Sequence, residues 1–462
     1  MTATRTAASP WLPGPGWWAG LTAVIGTGIV ANWAIAGGLL AWLLVQRFRP
    51  FDFVVAFLAL VAGGCFVAGA AGGLTYQLSY LTVGVLVMLA CYVIAMGRDV
   101  IGVPWTSMTM PLLFFGTLSI ANTVRGVLAG YSSKYVFLEA YPLLALGTTA
   151  LVANAFQARR DLRLGMISLI VIAYAIGARG YLTFSSLHWH AKGEYTVATP
   201  GIIAILLINL ALRSSNWGTS LGWTLLSLPL FVHQFLTFGR GLWTGCAGGM
   251  IAAFLIYARV GRGSAARVRR AALVYGLILL LGVLGAIAAA TVIGDVSVLQ
   301  QAGTRASSIT STEGGYESRS NIIRLWEYAT VLRHIGQSPW FGHGIGFTFP
   351  VEEPFGGQVV DQSYVHQNYL LVWLKQGITG LALFLWLLVA SIALAARASW
   401  QRTEAWESAW LATAATATIY LAIFSLSNSP FAVVNEMFLL ALLWGGAMSM
   451  TGRGRLLVRW KS

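Results

Sequence analysis

The chain has 462 residues, of which 57% are hydrophobic and only 10% charged, with a mean hydropathy of +0.72. Soluble globular chains carry about 25% charged residues, and no water-soluble core absorbs this much apolar surface, so composition excludes a soluble globular protein. The net charge of +14 sits in short gaps between apolar runs and not on an aromatic-interleaved face, which argues against nucleic acid as a partner.

Apolar runs of about 20 residues, enough to cross a ~30 Å hydrocarbon layer, recur from end to end. The opening stretch, 15–46, exceeds one crossing and reads as one tilted helix or two short ones broken near Asn32. It leads straight into further spans and reads as retained, not as a cleaved leader. Spans are expected at 51–72, 76–96, 101–121, 134–156, 163–182, 198–213, 219–238, 241–259, 271–294, 368–397, 408–427 and 432–450. The expected fold is all-α, a polytopic membrane helix bundle of about 13 or 14 transmembrane helices with one long extramembrane segment. That divides one membrane domain into N-terminal spans (1–294), the long segment (295–367), and C-terminal spans with a tail (368–462). Within the long segment an amphipathic helix over 320–336 and then glycine-rich turns read as a cap over the mouth of the bundle. Cys65, Cys91 and Cys246 lie in apolar runs, an odd count without ligand spacing, and read as small core residues.

Orientation follows from the Arg/Lys bias of short loops, because positively charged loops stay in the cytoplasm. The richest gap holds Arg259, Arg262, Arg267, Arg269 and Arg270. Placing it inside also puts Arg47, Arg49, Arg98, Arg159, Arg160, Arg163, Arg402 and Arg453 inside, and an even span count brings Arg5 inside too, which favours 14. Residues 122–133, 183–197, the Gly239-Arg240 turn and 295–367 then face outward.

Arginines on the outer side are informative because the orientation rule works against them there. Arg125, Arg179, Arg240, Arg319, Arg324 and Arg333 all fall at or near that surface. Helix-end arginines commonly snorkel to headgroups, the expected role for Arg125, Arg179 and Arg333. Arg240, between two glycines at a span end, offers a planar fork suited to phosphate oxygens in a place where a bulky anion can approach the backbone. His366, where the chain re-enters the membrane, has the chemistry of a general base for a hydroxyl nucleophile. His188, His190 and Glu194 form too weak a pattern for a metal site. The chain lacks an Asp-x-Asp, a P-loop and a His-Glu-x-x-His, so no metal or other cofactor is expected, and an ATPase and a zincin find no support.

Several ordered pieces carry a family resemblance. They are Arg240 within Phe238-Gly239-Arg240-Gly241, an arginine ahead of Trp326, Ser338-Pro339-Trp340-Phe341-Gly342-His343-Gly344-Ile345-Gly346, His366-Gln367-Asn368-Tyr369-Leu370, and Gly377-Ile378-Thr379-Gly380-Leu381. Together they resemble the O-antigen ligase and O-antigen polymerase superfamily of bacterial inner-membrane glycan transferases. The chain departs from the family pattern at Gly239, His343 and Gln367-Asn368, and either Arg319 or Arg324 could match the family arginine.

The resemblance implies an enzyme of the inner membrane with its active site facing the periplasm. Its donor would be an undecaprenyl-diphosphate-linked glycan and its acceptor a glycan or lipid A-core, in contact with membrane lipids and other polysaccharide-assembly proteins. It implies His366 as the catalytic base and Arg240 with Arg319 or Arg324 on the diphosphate; Arg125, Arg179, Tyr369 and His343 stand beside these as further candidate site residues. A polymerase is the leading expectation, with a ligase and a protein O-oligosaccharyltransferase as alternatives. A transporter or flippase is the rival from another class, disfavoured by spans nearly free of charge.

Overall fold

The computed structural model describes residues 102–155, 159–186, 198–237, 239–260, 265, 268–278, 280, 316–352, 359–452 and 455–457. The spans expected before residue 101, with Cys65 and Cys91, lie outside the described residues, as does most of 271–294. Nearly everything described is helical: α1 (Thr109–Leu128), α2 (Ser133–Ala155), α3 (Arg159–Ser186), α4 (Thr199–Arg213), α5 (Trp217–Leu236), α6 (Arg240–Val260), α7 (Tyr316–Gln337), α8 (Asn368–Gln401), α9 (Ala405–Phe424) and α10 (Val434–Thr451). Two short antiparallel pairs complete it. β1 (Gly102–Pro104) pairs with β4 (Arg455–Leu457), and β2 (Phe349–Glu352) with β3 (Val359–Gln362).

Among the described residues α1, α6, α8 and α9 are long and apolar enough to cross a membrane, and α3, α4 and α10 carry shorter apolar stretches. The chain is an all-α polytopic membrane protein. One boundary moves. The span expected at 101–121 starts at Thr109 and runs to Leu128, because Gly102–Pro104 is held extended by β4 and a tight turn at 129–132 suffices to reach α2. The amphipathic helix expected at 320–336 is α7, a few residues longer.

The centre of the bundle is α4, buried from Thr199 to Leu212. It packs against α9, whose run of alanines lets neighbouring backbones come close. Hydroxyls in α9 are satisfied one turn back, as in Thr413 Oγ1 to the Ala409 carbonyl (2.7 Å), and Thr418 Oγ1 also accepts from Trp444 Nε1 (2.9 Å).

The two ends of the bundle differ. One is clasped by arginines: Arg163 meets Glu404 (3.6 Å), Arg402 meets Glu407 (3.3 Å), Arg213 Nε donates to Ser408 Oγ (2.7 Å), and Arg259 lies over the Trp400 ring (4.7 Å). Arg163, Arg259 and Arg402 are positions expected on the cytoplasmic side. At the other end α5 and α9 finish and α6, α8 and α10 begin.

Candidate functional site

The chain enters α8 through Ser363–Gln367. Gln367 caps the helix by accepting from the Leu370 N–H (3.0 Å), and the Asn368 N–H donates to the Ser425 and Asn428 carbonyls (3.0 and 3.2 Å). The Tyr364 hydroxyl donates to Asn428 Oδ1 (3.0 Å) and accepts from the Ser429 N–H (3.2 Å). Burial raises its phenol above the usual range. The loop after α9 thus holds the approach to His366 from one side.

Helix α7 holds it from the other. Its lower turns bury Val331 and Ile335 against Leu371 and Leu374 of α8, leaving Glu327 one turn higher beside the re-entry segment. Glu327 is only 1% exposed. Its Oε1 accepts from the His366 backbone N–H (3.0 Å) and its Oε2 lies 2.8 Å from His366 Nδ1. The His366 side chain remains 40% exposed, with Tyr364 edge-on at 5.3 Å. Among the described residues no group hydrogen-bonds its Nε2.

Arg324, half-buried and three residues before Glu327, is within electrostatic reach of Tyr328 and Tyr364. Burial raises the Tyr328 phenol too. Arg319 lies on the same helix, with its side chain outside the described residues. Arg240 opens α6, half-buried and engaged in its surroundings. Its neighbour Gly241 sits so close to the loop after α9 that a Cβ there would be 2.3 Å from Ser427 Oγ. The neighbours of Arg240 and of His366, Gly241 on one side and Tyr364 and Asn368 on the other, therefore meet one loop, 425–429, at one end of the bundle, and Arg324 lies within electrostatic reach of Tyr364.

The remaining pieces of the resemblance form a scaffold beneath this site. Gly377 breaks α8 with φ +71°, and the freed groups find partners in Pro339–Gly344. The Leu374 and Lys375 carbonyls accept from His343 and Gly344 N–H (both 2.9 Å), and the Ile378 N–H donates to the Pro339 carbonyl (2.9 Å). A broken span needs this, since an unpaired backbone group in the apolar layer costs several kcal/mol. Gly342 (φ +64°) and Gly377 pack backbone to backbone, and a Cβ on Gly377 would lie 2.1 Å from the Trp340 carbonyl oxygen. The break is locked by a buried pair, Lys375 Nζ to Glu139 Oε1 (2.7 Å), whose Oε2 accepts from the Gly346 N–H (2.7 Å).

Arg125 Nη1 donates to the Phe341 carbonyl (3.1 Å). His343 stacks on Phe347 (4.2 Å), and its Nε2 lies 2.8 Å from the His334 carbonyl oxygen, with burial lowering its basicity. The Tyr369 hydroxyl donates to the Ala422 carbonyl (2.7 Å). These three serve the scaffold and do not join Arg240, Arg324 and His366. Arg179 lies within α3 with its side chain outside the described residues, and Arg333 is exposed on α7. Among the described residues no three His, Cys, Asp or Glu side chains converge as metal ligands; His188, His190 and Glu194 lie outside them.

Glu327, Tyr364 and Asn428 were not singled out from sequence. For Glu327 a signal existed: it falls four and eight residues before Val331 and Ile335, an acid on the apolar stripe of an amphipathic helix, which needs a buried partner. Tyr364 and Asn428 meet only in three dimensions.

Residues 225–385 match the family model described as O-antigen ligase, a segment that contains Arg240, Arg324, Glu327, His366 and the Gly377 break. That match supports the O-antigen ligase and polymerase superfamily of glycan transferases. A search of curated proteins finds no match.

Proposed function

Starting from an O-antigen ligase domain over residues 225–385, we propose that this chain is a metal-independent, inverting glycan transferase of the bacterial inner membrane, acting at the periplasmic face on an undecaprenyl-diphosphate-linked glycan. The observation that carries the reading is that the loop 425–429, at the end opposite the arginine clasp, meets Gly241 beside Arg240 and Tyr364 beside His366, with Arg324 within electrostatic reach of Tyr364. That opposition supports a periplasmic site, because arginine-rich ends stay cytoplasmic.

In this reading His366 Nε2 takes the proton from the acceptor hydroxyl as its oxygen attacks the anomeric carbon. The bond from that carbon to the diphosphate breaks, and its electron pair leaves on the diphosphate oxygen. Arg240 and Arg324 stabilise the charge that develops there; preorganised guanidinium groups in a poorly hydrated site do this without a metal. A single displacement inverts the anomeric centre.

The proposed reaction is polymerisation of repeat units, in keeping with the departures at Gly239, His343 and Gln367. Ligation has one observation in its favour, the description of the matching family. Deleting the gene and analysing the lipid-linked glycans separates them. Single repeats accumulate if the chain is a polymerase, long chains if it is a ligase, and no change overturns the reading. Purified wild type should form the new bond with inversion, and Arg240→Lys should fail because an ammonium loses the fork.

A further inference from the structure

We propose that Glu327 is the positioning residue of the site, holding His366 in the one tautomer and orientation in which Nε2 can accept a proton. The inference rests on the proposed reading of His366 as the base and adds a residue and a mechanism to it.

A carboxylate has four lone-pair directions and little reason to enter an apolar interior unless its acceptors are used. Glu327 shows 1% of its surface, whereas Asn321, Arg324, Thr330 and His334 of α7 are half-buried and Arg333 and Gln337 are exposed. Both of its oxygens are spent on one residue: Oε1 on the His366 backbone N–H and Oε2 on the His366 ring at Nδ1. The first bond sets the backbone from which the imidazole projects and the second sets the ring rotation. A carboxylate only accepts, so Nδ1 must carry the hydrogen. In the neutral ring Nε2 then bears the lone pair, on the side that stays open.

A purely structural carboxylate would enclose its partner, as Glu139 encloses Lys375, whose side chain is 3% exposed against 40% for His366. When the ring accepts the acceptor's proton it becomes a cation, and the fixed negative charge beside Nδ1 lowers the free energy of that state without any rearrangement. Among the described residues Tyr364 stands edge-on to the ring at 5.3 Å, Arg324 and Glu327 are within electrostatic reach of Tyr328 and Tyr364, and the loop after α9 meets Tyr364 through Asn428 and Ser429. Glu327 is therefore the described anion that offsets the new positive charge. Arg324 stands three residues away on the same helix, so α7 carries both the base-orienting carboxylate and a candidate diphosphate ligand.

The test uses full-length protein in proteoliposomes, with lipid-linked glycan extracted from cells lacking the gene as donor and acceptor. Glu327→Gln, which keeps shape but loses charge, should lower kcat about 10²- to 10⁴-fold with KM within threefold. It should also shift the acid limb of the kcat profile to lower pH, and Glu327→Asp should recover part of the rate. Transfer within threefold of wild type in Glu327→Gln, while His366→Ala is dead, overturns the positioning role but leaves the base assignment standing. Activity in His366→Ala overturns the base assignment itself. If the Glu327 variants do not insert, the ¹⁵N spectrum of histidine-labelled wild type decides, with His366 assigned by difference from His366→Gln. Hydrogen on Nδ1 is expected, and hydrogen on Nε2 refutes the proposal.

Discussion

Two carboxylate pairs stand near the first turns of α8, and they behave as opposites. Lys375 and Glu139 are closed on both sides, with the ammonium 3% and the carboxylate 15% exposed. Glu327 and His366 share the same contact chemistry at 2.8 Å, but the imidazole is 40% exposed and open at Nε2. The closed pair has nothing left to offer a substrate and locks the Pro339–Gly346 ribbon into the break of α8. The open pair has one buried half that is fixed and one exposed half that can react. Burial of the partner, not the presence of an ion pair, separates scaffold from site.

The sharpest way to break this comparison is to replace each exposed or enclosed partner. His366→Gln keeps a donor for Glu327 but loses the base. Transfer should fall about 10²- to 10⁴-fold while the unfolding midpoint in detergent stays near wild type. Lys375→Met should do the reverse at the level of stability: it strands a buried carboxylate and should cost about 3–5 kcal/mol, read as a fall in that midpoint. Adding Glu139→Leu should restore part of the loss, and no recovery would count against a simple enclosed pair.

Smaller effects sharpen the scaffold's role. Gly377→Ala places a Cβ 2.1 Å from the Trp340 carbonyl oxygen at a φ of +71°. The φ strain alone should cost about 1–3 kcal/mol, the overlap with the Trp340 backbone adds to it, and the ribbon should open to protease. Unchanged protection would show that the ribbon does not depend on the break. Tyr364→Phe removes the links to Asn428 and Ser429 and should cost about 1 kcal/mol with less than tenfold loss of transfer. A loss as large as that of His366→Gln would move Tyr364 into the chemistry.

Periodicity and charge bias determined much by themselves. The apolar runs expected at 134–156, 163–182, 198–213, 219–238, 241–259, 368–397, 408–427 and 432–450 are helices within a few residues of their expected ends, and Arg163, Arg259, Arg270 and Arg402 gather at one end as their loop positions require, because a bilayer makes span length and loop charge local properties. Arg240 and His366 were legible as candidates for the same reason: a cation or an imidazole at the outer edge of an apolar run is conspicuous. What the tertiary structure decided was partnership. Arg324 lies within electrostatic reach of Tyr364, His343 and Arg125 prove to be tied into the ribbon, and Glu327 emerges as the partner of a histidine on another element. Such pairings depend on how α7 folds back along α8, and burial is set by the neighbours a residue meets in space, which its place along the chain does not encode locally.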